Sequence, residues 1–387
     1  MDFAQSDDHR AIQSAVAELA AKFDDDYWMR HDRDHEFPWD FYSAFAEAGW
    51  IGISIPEEFG GGGMGIAAAG LLLETVAASG AAMNGCTPLH ASVFSVNVVT
   101  KHGSEALRHE ILPRVASGEL HVCFGVTEPD AGTDTTRIRT TAKRVGDEYV
   151  INGRKVWISK AGQSEKIVLV TRTAQRCESA PMKGLSVFLV DMNSPGITIS
   201  PIPKMGRNAV ASYEVALDDV HVPAGRLLGD EDDGFRVLLD GLNPERILIA
   251  HEALGIGRAS VRAAVAYAGQ REVFGRAIGM NQGIAFPLAQ AHAQLGAAEL
   301  MCRKAAWLYD RGQKCGAEAN TAKYLAAEAG FFAADRALQT FGGMGYADEY
   351  HVSRYFREAR VMKIAPVSQE LALAFIAQNV LGLPKSY

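Results

Sequence analysis

Basic charge is in short supply, cysteines are few and apolar runs are brief, and each shortage removes a class of protein. Lys and Arg together number 38 against 46 Asp and Glu in 387 residues, a formal net charge of −8. They gather nowhere into a polybasic face, so no nucleic acid is expected as a partner. No apolar run reaches the roughly 18 to 20 residues needed to cross a bilayer, and no membrane span is expected. The opening Met1 to Asp8 is acidic where a secretion signal would be basic, which makes the cytoplasm the expected location. The five cysteines, Cys86, Cys123, Cys177, Cys302 and Cys315, are odd in number and scattered. That argues against a disulfide framework and against a zinc site, and Cys123 reads as a small buried apolar residue. No G-x-S-x-G nucleophile elbow is present. His251-Glu252 lacks a second histidine four residues on, so it is not a metalloprotease pair. The acidic clusters Asp24-Asp25-Asp26 and Asp230-Glu231-Asp232-Asp233 read as solvated turns, and no metal is expected.

What is present is a large apolar reserve. Hydrophobic residues make up 48% of the chain, enough for a sizeable core divided among more than one domain. Ile12, Val16, Leu19 and Phe23 recur at steps of four, three and four, placing them on one helical face, and Ala67 to Ala78 is a second helical run. From Val122 to about Leu228 the period shortens. Glu148 to Lys160 reads as two extended runs with a turn at Asn152-Gly153, followed by strands at Lys166–Val170, Leu185–Val190 and Tyr213–Leu217. From Asp232 onward long alanine-rich helices return. The expected class is α+β: an N-terminal α-helical domain (1–121), a middle β domain in the form of a small barrel or sandwich (122–228), and a C-terminal α-helical bundle (229–387). Gly60, Gly62 and Gly65 formally satisfy G-x-G-x-x-G. The block that follows is helical with no parallel strand, so a glycine-rich loop leading into a helix is the better reading.

The most informative segment is Phe124-Gly125-Val126-Thr127-Glu128-Pro129-Asp130-Ala131-Gly132-Thr133-Asp134, followed about two dozen residues later by Trp157-Ile158-Ser159. Ala131 and Gly132 allow close backbone approach, Pro129 fixes a turn, and Thr127 and Thr133 offer hydroxyls. With a large flat aromatic nearby, this is equipment for holding a planar, polar cofactor.

Arg271-Glu272-Val273-Phe274-Gly275-Arg276 with Gln282, and Leu338-Gln339-Thr340-Phe341-Gly342-Gly343-Met344-Gly345-Tyr346, follow in an order and at distances that resemble the acyl-CoA dehydrogenases. The resemblance covers nearly the whole chain, from Gly49-Trp50-Ile51-Gly52 through Asp218-Asp219-Val220-His221-Val222-Pro223 to the C-terminal helices. It implies FAD as cofactor and a reaction in which a base takes the α proton of an acyl-CoA while the β hydrogen leaves as hydride. By the same resemblance, Phe124, Val126, Thr127, Gly132 and Thr133 with Trp157, Ile158 and Ser159 lie against the flavin. Arg271, Phe274, Gln282, Gln339, Gly342 and Gly343 reach its diphosphate and adenosine end from a neighbouring subunit. That implies a homodimer or homotetramer, and an electron-transferring flavoprotein as acceptor. Arg271, with its forked donors, is the phosphate partner.

The chain departs from the common pattern at the base. Many members carry the catalytic glutamate in a Tyr-Glu-Gly-Thr segment, where this chain has Ala365-Pro366-Val367-Ser368. Pro366 can neither abstract a proton nor donate an N–H to the thioester carbonyl. Leu242-Asn243-Pro244-Glu245-Arg246 resembles the segment that carries the base on an earlier helix in isovaleryl- and long-chain-type members, which points to Glu245. An Asn243 cap with Pro244 at the first helical position would put Glu245 in the first turn, where the helix dipole favours its ionised form. Val367 N–H is a candidate replacement donor, Ser368 is expected at the cofactor, and Thr133, Asn243, Arg246 and Val367 are expected on the substrate side. Pro366 also motivates alternatives: a thioester-binding flavoprotein without dehydrogenase activity, a carrier-linked oxidase, or an elimination.

Overall fold

The chain starts as helices whose ends are written into its polar residues. The structure, a computed structural model, describes residues 5–385; Met1 to Ala4 of the acidic opening lie outside the described residues. Helix α1 (Asp7–Ala20) begins where the Ser6 hydroxyl accepts from His9 N–H, with Asp7 and Asp8 at the positive end of its dipole. Ile12 and Val16 are buried, Leu19 packs on the same core, and Phe23 joins it from just beyond the helix. In α2 (Asp25–Asp34), Asp24 caps the helix by accepting from Tyr27 N–H at 2.9 Å, so part of that acidic triplet serves as a cap.

Next come α3 (Trp39–Glu47), α4 (Gly65–Val76), α5 (Ala82–His102) and α6 (Glu105–Ala116). Between Gly65 and His102 lies an 18-residue window of mean hydropathy 1.6, long and apolar enough by composition to cross a membrane, yet 83% of it is buried inside the protein. The expectation of no such run is corrected here: the stretch is apolar on average because neighbouring helices surround it, and its few polar side chains, such as Asn84 and His90, are buried with it. The glycine loop before α4 folds back on the chain, with Gly62 N–H bonded to Gly52 O at 2.9 Å; a Cβ on Gly61 would stand 2.1 Å from Ile55 O. The N-terminus of α4 is already occupied. The Asp310 carboxylate accepts from Ile66 N–H (2.8 Å) and Ala67 N–H (2.9 Å), where a nucleotide phosphate would have to sit.

The middle block is β1 (Val122–Gly125), β2 (Thr141–Val145), β3 (Glu148–Ser159), β4 (Lys166–Arg172), β5 (Leu185–Asp191), β6 (Ile197–Ile202), β7 (Ser212–Pro223) and β8 (Leu227–Leu228). They form one sheet in the order β6-β7-β3-β2-β4-β5-β8, with β1 parallel to β4. Both faces of β4 are used. Ile167 and Leu169 join Phe188, Val190, Val215 and Leu217 in a core of its own, while Val168 and Val170 face the helical core. Asn152-Gly153 is not a turn. β3 runs through it opposite a bulge on β7, where the pairing shifts from Ile151↔Val220 to Gly153↔Leu217 and Asp219 takes φ 47°. The Asn152 amide is engaged across the strands, donating to Asp219 Oδ1 and accepting from Asp219 N–H, both at 2.9 Å. The hairpin reverses instead at Gly146-Asp147, with Gly146 at φ 61°.

The last block comprises α7 (Gly234–Gln270), a small hairpin of β9 (Glu272–Val273) and β10 (Arg276–Ala277), α8 (Gln282–Asp310), α9 (Gly316–Phe341), α10 (Val352–Val361) and α11 (Gln369–Asn379). Helix α7 packs against α4, α5, α8 and α9. Its alanine and glycine content has a geometric reason: a Cβ on Gly330 of α9 would stand 2.4 Å from Ala253 O of α7. Gly330→Ala therefore forces two backbones apart and is expected to lower stability by about 1–3 kcal/mol. Urea unfolding checks this, and an unchanged midpoint would mean the helices separate freely.

Candidate active site

The turn-rich segment 126–133 is held by a buried ion pair. Its backbone is tied to β3 by Val156 N–H to Thr127 O (2.9 Å). The buried Glu128 carboxylate accepts from Arg139 N–H (2.7 Å), Thr140 N–H (2.9 Å) and Lys155 Nζ (2.9 Å); the same ammonium donates to Val126 O (3.0 Å). Burial pushes Lys155 down to about 8, with Glu128 opposing the fall. Burial alone would raise Glu128, but Lys155 with Thr140 and Arg139 holds it below the usual carboxylate range. Sequence reasoning missed this pair. The available signal was a lysine inside a strand whose neighbours Ile151 and Ile158 are core residues.

This frame brings the loop and the aromatic together. Trp157 sits at φ 63°, a conformation unusual for a non-glycine residue, and its side chain is turned outward with 55% of the residue exposed. The hydroxyls of Thr127 and Thr133 have no partner among the described residues, and a Cβ at Gly132 would meet nothing nearer than Thr127 Cγ2 at 3.9 Å. Phe124 packs on Phe94 of α5 with centroids 4.7 Å apart; Val126 is half-buried and Ile158 buried. Free hydroxyls, an outward aromatic face and an uncrowded glycine fit a planar, polar group such as a flavin. Cys123 is buried and its thiol is pushed up to about 12 by burial, as a small apolar residue would be.

Glu245 is placed differently from expectation. Helix α7 is continuous from Gly234, so Asn243 and Pro244 lie inside it and do not start it. Pro244 is accommodated at the loss of one backbone bond. The Asn243 side-chain Oδ1 accepts from Arg246 Nη1 at 3.2 Å, so it caps a side chain and not a helix. Glu245 consequently gains nothing from a helix N-terminus. It is 5% exposed, and its Oε2 lies 2.5 Å from His90 Nε2, while His90 Nδ1 lies 2.8 Å from Glu252 Oε1. Burial by itself would depress the imidazolium, but the two carboxylates outweigh it and hold His90 well above the ordinary histidine range. Glu252 was considered in the sequence only as half of a failed zinc motif. Its spacing of seven from Glu245, two helical turns, was the signal that both carboxylates share a face. His251 turns away to Glu74 at 2.7 Å.

Arg207 joins these two regions. It is half-buried at φ 59°, and its guanidinium donates to Ser159 Oγ (3.0 Å) and Ser212 Oγ (3.1 Å). Burial lowers it, while the charges of Glu252, Glu358 and Glu245 act in the opposite direction. Arg246 is pushed down to about 10 by burial. Lys160, fully buried at the end of β3, donates to Pro88 O (3.0 Å) two residues before His90, and burial pushes it down to about 7. A depressed lysine contributes stability above its unfolded value near 10.5 and loses it as pH falls through about 7. Lys160→Met should thus be more stable than the parent at pH 6, with the gap narrowing from about pH 7 to about pH 10 in denaturant titrations. A gap constant with pH would contradict this.

The second group of expected cofactor residues stands apart. Arg271, Gln282, Gln339, Gly342 and Gly343 are exposed, and Phe274 is fully exposed at the β9–β10 hairpin. The side chains of Arg271, Gln282 and Gln339 have no hydrogen-bond partner among the described residues. Ser368 accepts from Leu371 N–H (3.3 Å) and caps α11, a role the sequence reading did not assign. Pro366 is exposed, Val367 is buried, and the Val367 N–H has no partner among the described residues.

Residues 6–119, 123–220 and 232–381 match the family descriptions "Acyl-CoA dehydrogenase, N-terminal domain", "middle domain" and "C-terminal domain". The chain is 38% identical over 387 residues to the acyl-CoA dehydrogenase FadE12 of Mycobacterium tuberculosis, covering 100% of this chain and 99% of that one. It is 34% identical over 394 residues to a glutaryl-CoA dehydrogenase of Desulfococcus multivorans, covering 100% of each. A solved glutaryl-coenzyme A dehydrogenase in complex with glutaryl-CoA superimposes with a TM-score of 0.95 at 33% identity, over 100% of this chain and 98% of that one.

Proposed function

This chain belongs to the acyl-CoA dehydrogenase family, and on that footing we propose that it removes the α and β hydrogens of a saturated acyl-CoA, with Glu245 as the base. The family's enzymes use FAD, and the residues around Trp157 fit such a group. Bound there, FAD would accept the β hydrogen as hydride. The observation that carries the proposal is the Glu245 carboxylate: buried, gripped at Oε2 by His90, and left with an Oε1 that has no protein partner among the described residues. A carboxylate so held can take a proton from a carbon acid without first breaking its own hydrogen bond.

The chain's other residues divide the remaining work. Thr127, Thr133, Trp157 and Ser159 orient the ring system, with Phe124, Val126, Gly132 and Ile158 shaping its bed, while Arg207 keeps the Ser159 hydroxyl in place as its hydrogen-bond donor. The free Val367 N–H supports its assignment to the thioester carbonyl in place of the donor that Pro366 lacks. Thr133, Asn243 and Arg246 line the substrate side, and Ser368 approaches the cofactor while capping α11. The exposure of Arg271, Phe274, Gln282, Gln339, Gly342 and Gly343 supports a second copy as the contributor of the cofactor's diphosphate and adenosine contacts, in a homodimer or homotetramer. We place the domain divisions at 121/122 and 228/229, the acceptor as an electron-transferring flavoprotein, and the location as the cytoplasm. Anaerobic titration of the flavin-loaded protein with straight and branched saturated acyl-CoAs tests the reading. Bleaching near 450 nm with one of them is expected. Tight acyl-CoA binding with no bleaching by any of them would favour the non-dehydrogenating readings motivated by Pro366.

A further inference from the structure

We infer that His90, clamped by Glu252, is the positioning residue that presents Glu245 to substrate, by staying doubly protonated and fixing Oε2 so that Oε1 is the oxygen that receives the α proton. This rests on Glu245 being the base, as proposed above. Three facts converge. Both ring nitrogens of His90 face carboxylate oxygens, at 2.5 and 2.8 Å. His90, Glu245 and Glu252 are all buried, so each charge needs a partner and the three-group unit supplies one to every member. They also come from two helices, α5 and α7, whose packing is close: a Cβ on Gly241 would meet Val98 and Phe94 of α5 within 3.6 Å. The ring is therefore held by backbone packing as well as by hydrogen bonds.

The surrounding charges complete the set. Glu245, Arg246 and Glu252 come from α7, Cys86 lies on α5, Arg207 precedes β7, Glu358 is on α10, and Lys160 follows β3. In the chemical step the Cα–H bond breaks, its electron pair stays with the thioester as the developing enolate, and the proton goes to Glu245 Oε1. His90 keeps both of its protons. Glu252 keeps the imidazolium protonated after Glu245 has been neutralised, because one carboxylate still faces it. Without Glu252 the imidazolium would lose its counter-charge just as product forms.

The inference differs from a structural role in what it predicts for pH. Removing the imidazolium leaves Glu245 facing Glu252 with no cation between them, so the proton-accepting form appears only at higher pH. In His90→Asn, the limiting rate of flavin reduction by saturating acyl-CoA at pH 7 should fall about 10- to 100-fold, with its acid limb moved upward by about one pH unit or more and the substrate dissociation constant changed less than about threefold. Glu252→Gln keeps the acceptor but not the charge; it should shift the alkaline limb downward and serves if His90→Asn does not fold. Independently of turnover, 15N spectra of the holoenzyme should show the His90 ring with both nitrogens protonated at pH 8. A singly protonated ring at that pH, or variants that retain the parent rate and pH profile, would overturn the inference. A Glu245→Gln variant that reduces flavin at the parent rate would instead remove the base assignment itself, so the two failures are distinguishable.

Discussion

Replacing Glu245 with glutamine is expected to slow flavin reduction by about 1,000-fold or more while leaving the fold and the bound flavin in place. The substitution keeps the shape of the side chain, and the amide oxygen still accepts from His90 Nε2–H, so the buried histidine is not left without a partner. What disappears is the ability to take a proton. The loss should therefore fall on the limiting rate of reduction and not on acyl-CoA affinity, the pattern of an interaction used only in the transition state. Stopped-flow reduction against a range of acyl-CoA concentrations separates the two. Reduction at the parent rate would mean that another group is the base; an equal loss in affinity and rate would mean that Glu245 mainly shapes the pocket.

The other large effect concerns the frame and not the chemistry. Glu128→Ala removes the one carboxylate facing a fully buried lysine and also frees two backbone N–H groups. Stranding one member of a buried pair costs about 3–5 kcal/mol, and here the loss lands on the segment that carries Thr127, Gly132 and Thr133. Both the denaturation midpoint and the flavin-to-protein absorbance ratio after gel filtration should drop. Adding Lys155→Met removes the stranded charge, so the double variant should recover much of the stability. It should recover less of the flavin binding, because the Lys155 bond to Val126 O and the Glu128 bonds to residues 139 and 140 are still missing. If the double variant is no more stable than Glu128→Ala, the buried ammonium is not the source of the loss.

The contrast between these two sites shows which kinds of information a linear reading carries. The proposed cofactor loop is local: Phe124 to Thr133 is one continuous segment running from the end of β1, and Trp157 lies on a strand that hydrogen-bonds to it, so residue types and order sufficed to propose a planar ligand. The helical blocks were legible for the same reason, since Ile12, Val16 and Leu19 obey a period that depends only on backbone geometry. Errors arose where a residue had two local uses and a distant partner chose between them. Asn152-Gly153 has the composition of a hairpin turn, but Asp219 holds the Asn152 amide and keeps β3 straight. Asn243-Pro244 has the composition of a helix start, but α7 passes through it because packing against the surrounding helices outweighs one missing hydrogen bond.

By itself the sequence determined the three-block α+β layout and the family, and it pointed to the loop at Phe124 to Thr133 as a cofactor seat and to Glu245, over the proline-bearing segment, as the proposed base, because each depends on residue type and order along short stretches. Tertiary structure alone decided which distant groups meet at these sites. His90 lies 155 residues earlier in the chain, Arg207 enters from the middle block, and Lys155 and Glu128 meet across a strand and a loop. Burial is the physical reason: a charge removed from water must find its partner in space, and no local pattern says which distant residue the fold will bring to it.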